Sequence, residues 1–200
     1  RRPPRSTLFP YTTLFRSFVP LASFALFHLV TIFPVSWINL FTNRSVSEFL
    51  LVQAAGGVVG AGAIVTSGLI ADQIGRRNTL LLSGAMIGLF SLSSIVAPLL
   101  FGDSQAGQTI YVIIGFGLLG LSYGQTAGAV ASSFGANYRY PGAALTSDLA
   151  WLLGAGFAPL VALTVSSTFG LAWVGIYLLS GALCTLAALA VDRRLEARYE

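Results

Sequence analysis

Between Phe18 and Val191 the sequence consists of six long apolar runs separated by short polar or charged segments. A helix of about 20 apolar residues crosses the ~30 Å hydrocarbon core of a bilayer. Inside that core the backbone must satisfy its own hydrogen bonds, so repeated runs of this length can only be helices. The spacing predicts spans at 19–42, 48–70, 78–100, 108–131, 143–166 and 170–191. Composition agrees, because 55% of the residues are hydrophobic and 9% are charged. A soluble domain carries about 25% charged residues, and a chain with so few could not cover its surface in water. The expectation is an all-α membrane protein with six transmembrane helices. Cys184 is the single cysteine, so no intrachain disulfide can form.

The first seventeen residues, RRPPRSTLFPYTTLFRS, belong to none of these runs. They are basic, but Pro10 interrupts the first apolar stretch, which fits neither a secretory signal nor a lipid-binding arm. Residue by residue they resemble the conceptual translation of a short-read sequencing adapter. We therefore read 1–17 as a non-native, adapter-derived segment, 18–191 as a six-helix transmembrane bundle, and 192–200 as a cytoplasmic tail. Setting aside Arg1, Arg2, Arg5 and Arg16 leaves seven arginines against seven acids. The basic balance then disappears, and with it any argument for a nucleic-acid partner.

Arginine placement predicts the orientation, since basic residues in short loops stay on the cytoplasmic side. Arg76 and Arg77 follow the second span, Arg139 follows the fourth, and Arg193, Arg194 and Arg198 follow the sixth, whereas Arg44 lies on the other side beside Glu48. Both ends of the bundle are expected in the cytoplasm of a bacterial cell membrane. Gly56 and Gly60, Gly84 and Gly88, and Gly117, Gly120, Gly124 and Gly128 recur at helical spacing, which suits close helix packing in lipid.

The sharpest local signal is GLIADQIGRRNTL, residues 68–80, at the junction of the second and third spans. An acid such as Asp72 can meet the positive end of a helix, Gly75 permits a tight turn, and Arg76 and Arg77 can pair with acids or helix C-termini. This stretch resembles the loop motif of the major facilitator superfamily, G-x-L-x-D-R-x-G-R-R. Gly68, Asp72, Gly75, Arg76 and Arg77 match, while Gln73 stands where the family has Arg or Lys. The resemblance implies a breakable latch of the cytoplasmic gate, formed by these residues with Arg139.

Residues 122–159 carry a second resemblance, to the metabolite:proton symporter group that includes proline/betaine, shikimate and dicarboxylate carriers. Tyr123, Gly124, Phe134, Arg139, Tyr140, Gly142, Gly154 and Pro159 match its pattern. Gln125 replaces a proline, Ser132 a glutamate and Gly135 a second proline. The resemblance implies the C-terminal half, a 3+3 repeat, of a twelve-helix carrier working by alternating access. Its partners are then a small metabolite, a proton, membrane lipid and a missing N-terminal six-helix half. Efflux or sugar transport is the alternative within the family, although the sugar porters' P-E-T-K-G signature is absent from the tail. A membrane-embedded enzyme and a nonfunctional fragment are the remaining readings.

Ionisable residues inside a bilayer are costly and mark functional positions. His28 could carry the coupled proton or rest neutral within the bundle. Asp148 could carry a proton, attract a cation or form a gate contact. On the helices that line the cavity in this family stand Trp37, Asn39, Gln53, Tyr123, Gln125 and Trp151. Asn39 and Gln53 suit a polar solute, and the two tryptophans suit either a quaternary ammonium or interfacial anchoring. The sequence has no metal-ligand cluster, phosphate loop or nucleophile motif, so neither an enzyme nor a cofactor is expected.

Overall fold

The computed structural model describes residues 17–96, 104–132, 134 and 139–191. Residues 1–16 of the presumed adapter segment, Gly135 of the second motif and the tail 192–200 lie outside the described residues. Six helical spans are present, long and apolar enough to cross a membrane. The first is broken into α1 (Leu21–Val30) and α2 (Ile32–Phe41). The second is α3 (Val46–Ile74), the third α4 (Arg76–Val96) and the fourth α5 (Gln105–Ser132). The fifth comprises α6 (Arg139–Trp151), a π turn (Leu152–Gly156) and α7 (Ala158–Phe169), and the sixth is α8 (Ala172–Val191). The fifth span starts four residues before its expected position of 143. Pro141 lies in its first turn, where a missing N–H leaves no intrahelical bond unmade.

Proline explains both interruptions. Pro34 has no N–H for the Val30 carbonyl, four residues earlier, and the chain breaks at Thr31, whose ψ is −72°. The second span supplies the missing donor. Gln53 Nε2 donates to the carbonyls of Val30 (2.8 Å) and Thr31 (2.6 Å). In the fifth span Pro159 withholds a donor from Ala155, at the π turn that joins α6 to α7. Tyr177 of the sixth span reaches this turn, its hydroxyl 3.4 Å from the Gly154 carbonyl.

The spans pack as neighbouring pairs around one central cluster. α3 runs along α5, α4 runs along α8, and α1 lies against α5, α8 and the π turn. Leu26, Leu29, Val30, Ile87, Leu118 and Leu178 meet in the core. On α3 only a narrow stripe is buried, namely Phe49, Gly56, Gly60, Ser67 and Ala71. The stripe's spacing of seven and four residues keeps one seam of the helix against α5. Close approach depends on glycine here, because a Cβ on Gly120 would run into the Gly60 carbonyl and lie 2.7 Å from the Ala63 Cβ. Leu51, Val58, Val65 and Leu69 remain exposed on the rest of α3, apolar surface suited to lipid or a second helical body.

Candidate functional site

One group of predicted residues converges where the first, fourth and fifth spans meet. The Phe24 ring stacks on Trp151 with centroids 4.6 Å apart, and Tyr123 meets its edge at 6.1 Å. Phe27 and His28 approach Trp151 at 5.4 and 5.7 Å in edge-to-face geometry. Such arrangements suit the aromatic quadrupoles. Gly154 lets this contact form, since a Cβ there would lie 2.9 Å from Leu21 Cδ1 and 3.3 Å from Phe24 Cβ. At 1.5 Å per residue, His28, Tyr123 and Trp151 lie roughly 10 to 18 Å along their helices from the ends that carry the arginine-rich loops. That is near the middle of a bilayer core.

Two features give this cluster chemical capacity. His28 Nδ1 is buried without a hydrogen-bond partner, which is rare for a polar atom in a finished interior. Asp148 is exposed, three residues before Trp151 on α6, and makes no hydrogen bond or ion pair among the described residues. Arg44, Arg76, Arg77 and Arg139 all sit at span ends. Among the described residues, His28 is thus the ionisable side chain with an unpartnered buried atom beside the aromatic rings, and Asp148 stands three residues before Trp151 on α6.

The other predicted pathway residues go elsewhere. Trp37 packs on Phe41 at 4.3 Å and Phe33 at 6.2 Å, near the opposite end of the first span. It lines an apolar cavity of about 60 Å³ with Pro34, Phe49, Tyr111 and Val174, and its Nε1 is buried without a partner. The two tryptophans therefore do not form one box. Asn39 is exposed near the same end. The Gln53 amide nitrogen is committed to the break in the first span. Gln125 is buried on α5 and donates to Ser67 Oγ at 3.1 Å across the glycine-lined seam.

The gate-motif residues form a second region, at the junction of α3 and α4. Gly75 has φ +84°, a conformation that strains any residue with a Cβ, and its N–H donates to the Ala71 carbonyl at 2.9 Å. Arg77 reaches the C-terminal turn of α8, donating from Nε and Nη2 to the Leu189 carbonyl at 3.1 and 2.9 Å. A cation is favoured at the negative end of a helix. Gly68, Asp72 and Arg76 line a polar cleft of about 170 Å³ with Gly124, Gln125 and Gly128. The Arg76 guanidinium occupies the space a Gly128 Cβ would take, with Nη1 2.9 Å away. Arg139 is exposed at the start of α6. In the second motif, Gly142 makes room for the Phe134 ring, whose Cδ1 would lie 2.6 Å from a Cβ there.

Sequence reading missed several participants. Phe24 and Phe27 are ordinary apolar residues on a hydrophobic helix, and nothing in their spacing sets them apart. The two helix breaks did carry a signal, in Pro34 and Pro159. Arg44 was read beside Glu48, yet it turns to the start of the fourth span. It donates to Gln108 Oε1 (3.0 Å), the Gln105 carbonyl (3.2 Å) and Thr109 Oγ1 (3.3 Å), and lies 5.1 Å from the Phe49 ring centroid.

No protein-family model matches the chain, and no solved structure matches it. Among curated proteins it is 31% identical over 195 residues to the inner membrane metabolite transport protein YhjE of Escherichia coli, covering 94% of this chain and 43% of that protein. It is 32% identical over 197 residues to a putative metabolite transport protein of Haemophilus influenzae, covering 89% of this chain and 43% of that one. The Escherichia coli shikimate transporter is 26% identical over 170 residues, covering 81% and 37%. The chain thus spans about two fifths of the length of the relatives it matches. Six membrane-spanning helices among the described residues, the Gly68–Arg77 junction and the similarity to part of these metabolite transport proteins are consistent with the C-terminal half of a major facilitator metabolite transporter.

Proposed function

We propose that this chain is half of a secondary active carrier that moves a small polar metabolite together with a proton by alternating access, and that it is not an enzyme. The observation that carries the reading is the edge-to-face approach of His28 to Trp151 near half depth, with Phe24 packed between Trp151 and Tyr123 and with His28 Nδ1 unpartnered. Ionisable groups at that depth are costly, and where they occur they mark substrate or proton pathways. A midplane site is also where alternating access requires the solute to bind. His28 is the group assigned to the coupled proton. Metabolite and shikimate transport are named for the relatives, and a solute of that size and polarity is the substrate class we assign here.

The ends rich in arginine face the cytoplasm of a bacterial membrane, and an N-terminal six-helix half supplies the opposite wall of the site. Asp72, Arg76 and Arg77 then form the cytoplasmic latch, with Arg77 holding the sixth span. The test is uptake of radiolabelled shikimate, betaine and proline by cells expressing the full-length carrier. Accumulation that collapses with a protonophore is expected, and accumulation indifferent to it defeats proton symport. Asp72→Asn is expected to lower uptake at unchanged protein level; full uptake in that variant removes the latch role.

A further inference from the structure

We propose that Thr185 is a positioning residue for the solute face: it caps the first turn of α1, and through the next turn of α8, which holds Arg77, it ties Phe24, Phe27 and His28 to the state of the cytoplasmic latch. This rests on the carrier reading above and names how its two regions communicate.

The first reason is how α1 is held. It is a helix of 10 residues between Pro20 and the break at Thr31, and a helix that short is marginal without outside contacts. Pro20, at its start, offers no side-chain cap, and the N–H groups of a first turn have no acceptor within their own helix. Thr185 of the sixth span supplies one. Its Oγ1 accepts from the Ala22 N–H at 3.0 Å and donates to the Phe18 carbonyl at 2.9 Å. Thr185 is buried, so no solvent replaces its hydroxyl if that is lost. Gln53 holds the other end of α1 by the Val30 and Thr31 carbonyls. Phe24, Phe27 and His28 stand between these two attachments, which together set where they meet Trp151.

The second reason is what else α8 carries. Leu189 lies one helical turn beyond Thr185, and its carbonyl receives Arg77 Nε and Nη2 at 3.1 and 2.9 Å. The latch arginine and the cap of α1 thus hang on consecutive turns of one helix. The surroundings are closely packed. A Cβ on Gly181, one turn before Thr185, would lie 3.7 Å from the Ala25 Cβ, and Val19, Ala188 and Leu189 share one buried cluster with Leu80. A shift of the last turns of α8 when Arg77 lets go therefore reaches the first turn of α1 by direct contact. Ser23 ties α1 to the fourth span instead, its Oγ 2.5 Å from Ser122 Oγ and 3.3 Å from Thr126 Oγ1, an attachment that bypasses α8.

The experiment uses the full-length carrier. Thr185→Val keeps the shape and removes donor and acceptor, Thr185→Ala is a second hydroxyl-free variant should the first fold poorly, and Thr185→Ser restores the hydroxyl. Cys184→Ser, at the exposed neighbouring position, is the control. All are compared on the monodisperse fraction, so a lowered yield does not enter. Hydrogen exchange across α1 needs no solute. Loss of the cap is expected to raise it about fivefold as far as Val30, the equivalent of about 1 kcal/mol. Arg77→Gln should raise it as well, yet add less than about twofold on top of Thr185→Val, because the two act in series. Ser23→Ala and Arg77→Gln should multiply. In proteoliposomes, Thr185→Val should raise the half-saturating concentration of whichever of shikimate, betaine and proline is accumulated by about fivefold, with Thr185→Ser close to the parent. The proposal is overturned if exchange rises at Ala22 alone or not at all, if Thr185→Ser fails to restore it, or if the Thr185→Val and Arg77→Gln effects multiply. In each of these cases parent uptake that collapses with a protonophore leaves the carrier reading standing. A parent that accumulates none of the three solutes counts against the carrier reading, and the exchange rates still decide the role of Thr185.

Discussion

The seam between the second and fourth spans and the seam between the first and fifth are built from opposite materials. In the former, glycines face each other and backbones approach so closely that a single Cβ on Gly120 would strike the Gly60 carbonyl. In the latter, both helices are interrupted by proline, and the contact is made by aromatic rings with an unpartnered imidazole among them. Close backbone packing holds helices together where lipid offers no hydrophobic drive. Broken helices and unpaired ionisable groups cost stability, and they persist in membranes where they line a site. On the carrier reading proposed above, the difference separates a part that holds the bundle from the part assigned to meet solute.

The largest expected effect falls on the packed seam. Gly120→Val forces the second and fourth spans apart, and overpacking of this kind costs about 1–3 kcal/mol or more. A clear fall in melting temperature in detergent is the expected result, with a parallel loss of folded protein. Pro34→Ala acts on the other seam and in the other direction. It restores an N–H for the Val30 carbonyl and removes a ring that costs about 3 kcal/mol within a helix. Its melting temperature should hold or rise while uptake falls, a combination that no packing residue would give.

A smaller effect is expected at Gln53. Its replacement by Leu leaves the Val30 and Thr31 carbonyls without their donor and should cost about 1–2 kcal/mol in thermal unfolding. Gln53→Glu retains the shape but brings an acceptor against acceptors, so it should be at least as damaging. The smallest change is expected for Trp37→Phe, because the indole N–H is already without a partner. Stability within about 0.5 kcal/mol of the parent and unchanged uptake would separate Trp37 from Trp151.

The six spans were legible in the sequence because bilayer thickness and backbone hydrogen bonding leave one solution for runs of that length. The turn at Gly75 between α3 and α4 was legible as well, since a glycine flanked by an acid and paired arginines marks a tight junction at fixed spacing. Which residues share a site was less so. His28, Tyr123 and Trp151 stand on three spans, and their approach around Phe24 depends on how α1 crosses the π turn of the fifth span. Trp37 and Gln53 looked equally suited to a solute. The Gln53 amide turns to the carbonyls that Pro34 leaves without a donor, and Trp37 lies against an apolar cavity. The identities of the aromatic partners Phe24 and Phe27 could not be read from a helix that is apolar on every face.

The contrast between the two seams is tested most directly by thiol labelling of the full-length carrier in a Cys184→Ser background, since Cys184 is itself exposed. Ile32→Cys places a thiol on an exposed position one turn beyond His28, and Val58→Cys places one on the exposed surface of the second span. A membrane-impermeant, water-soluble reagent should label the Ile32→Cys protein, and saturating solute should protect it by about tenfold or more, the occupancy effect expected when solute far exceeds its dissociation constant. The Val58→Cys protein should show no such protection. Protection at Val58 with none at Ile32 would place the solute elsewhere and contradict the account.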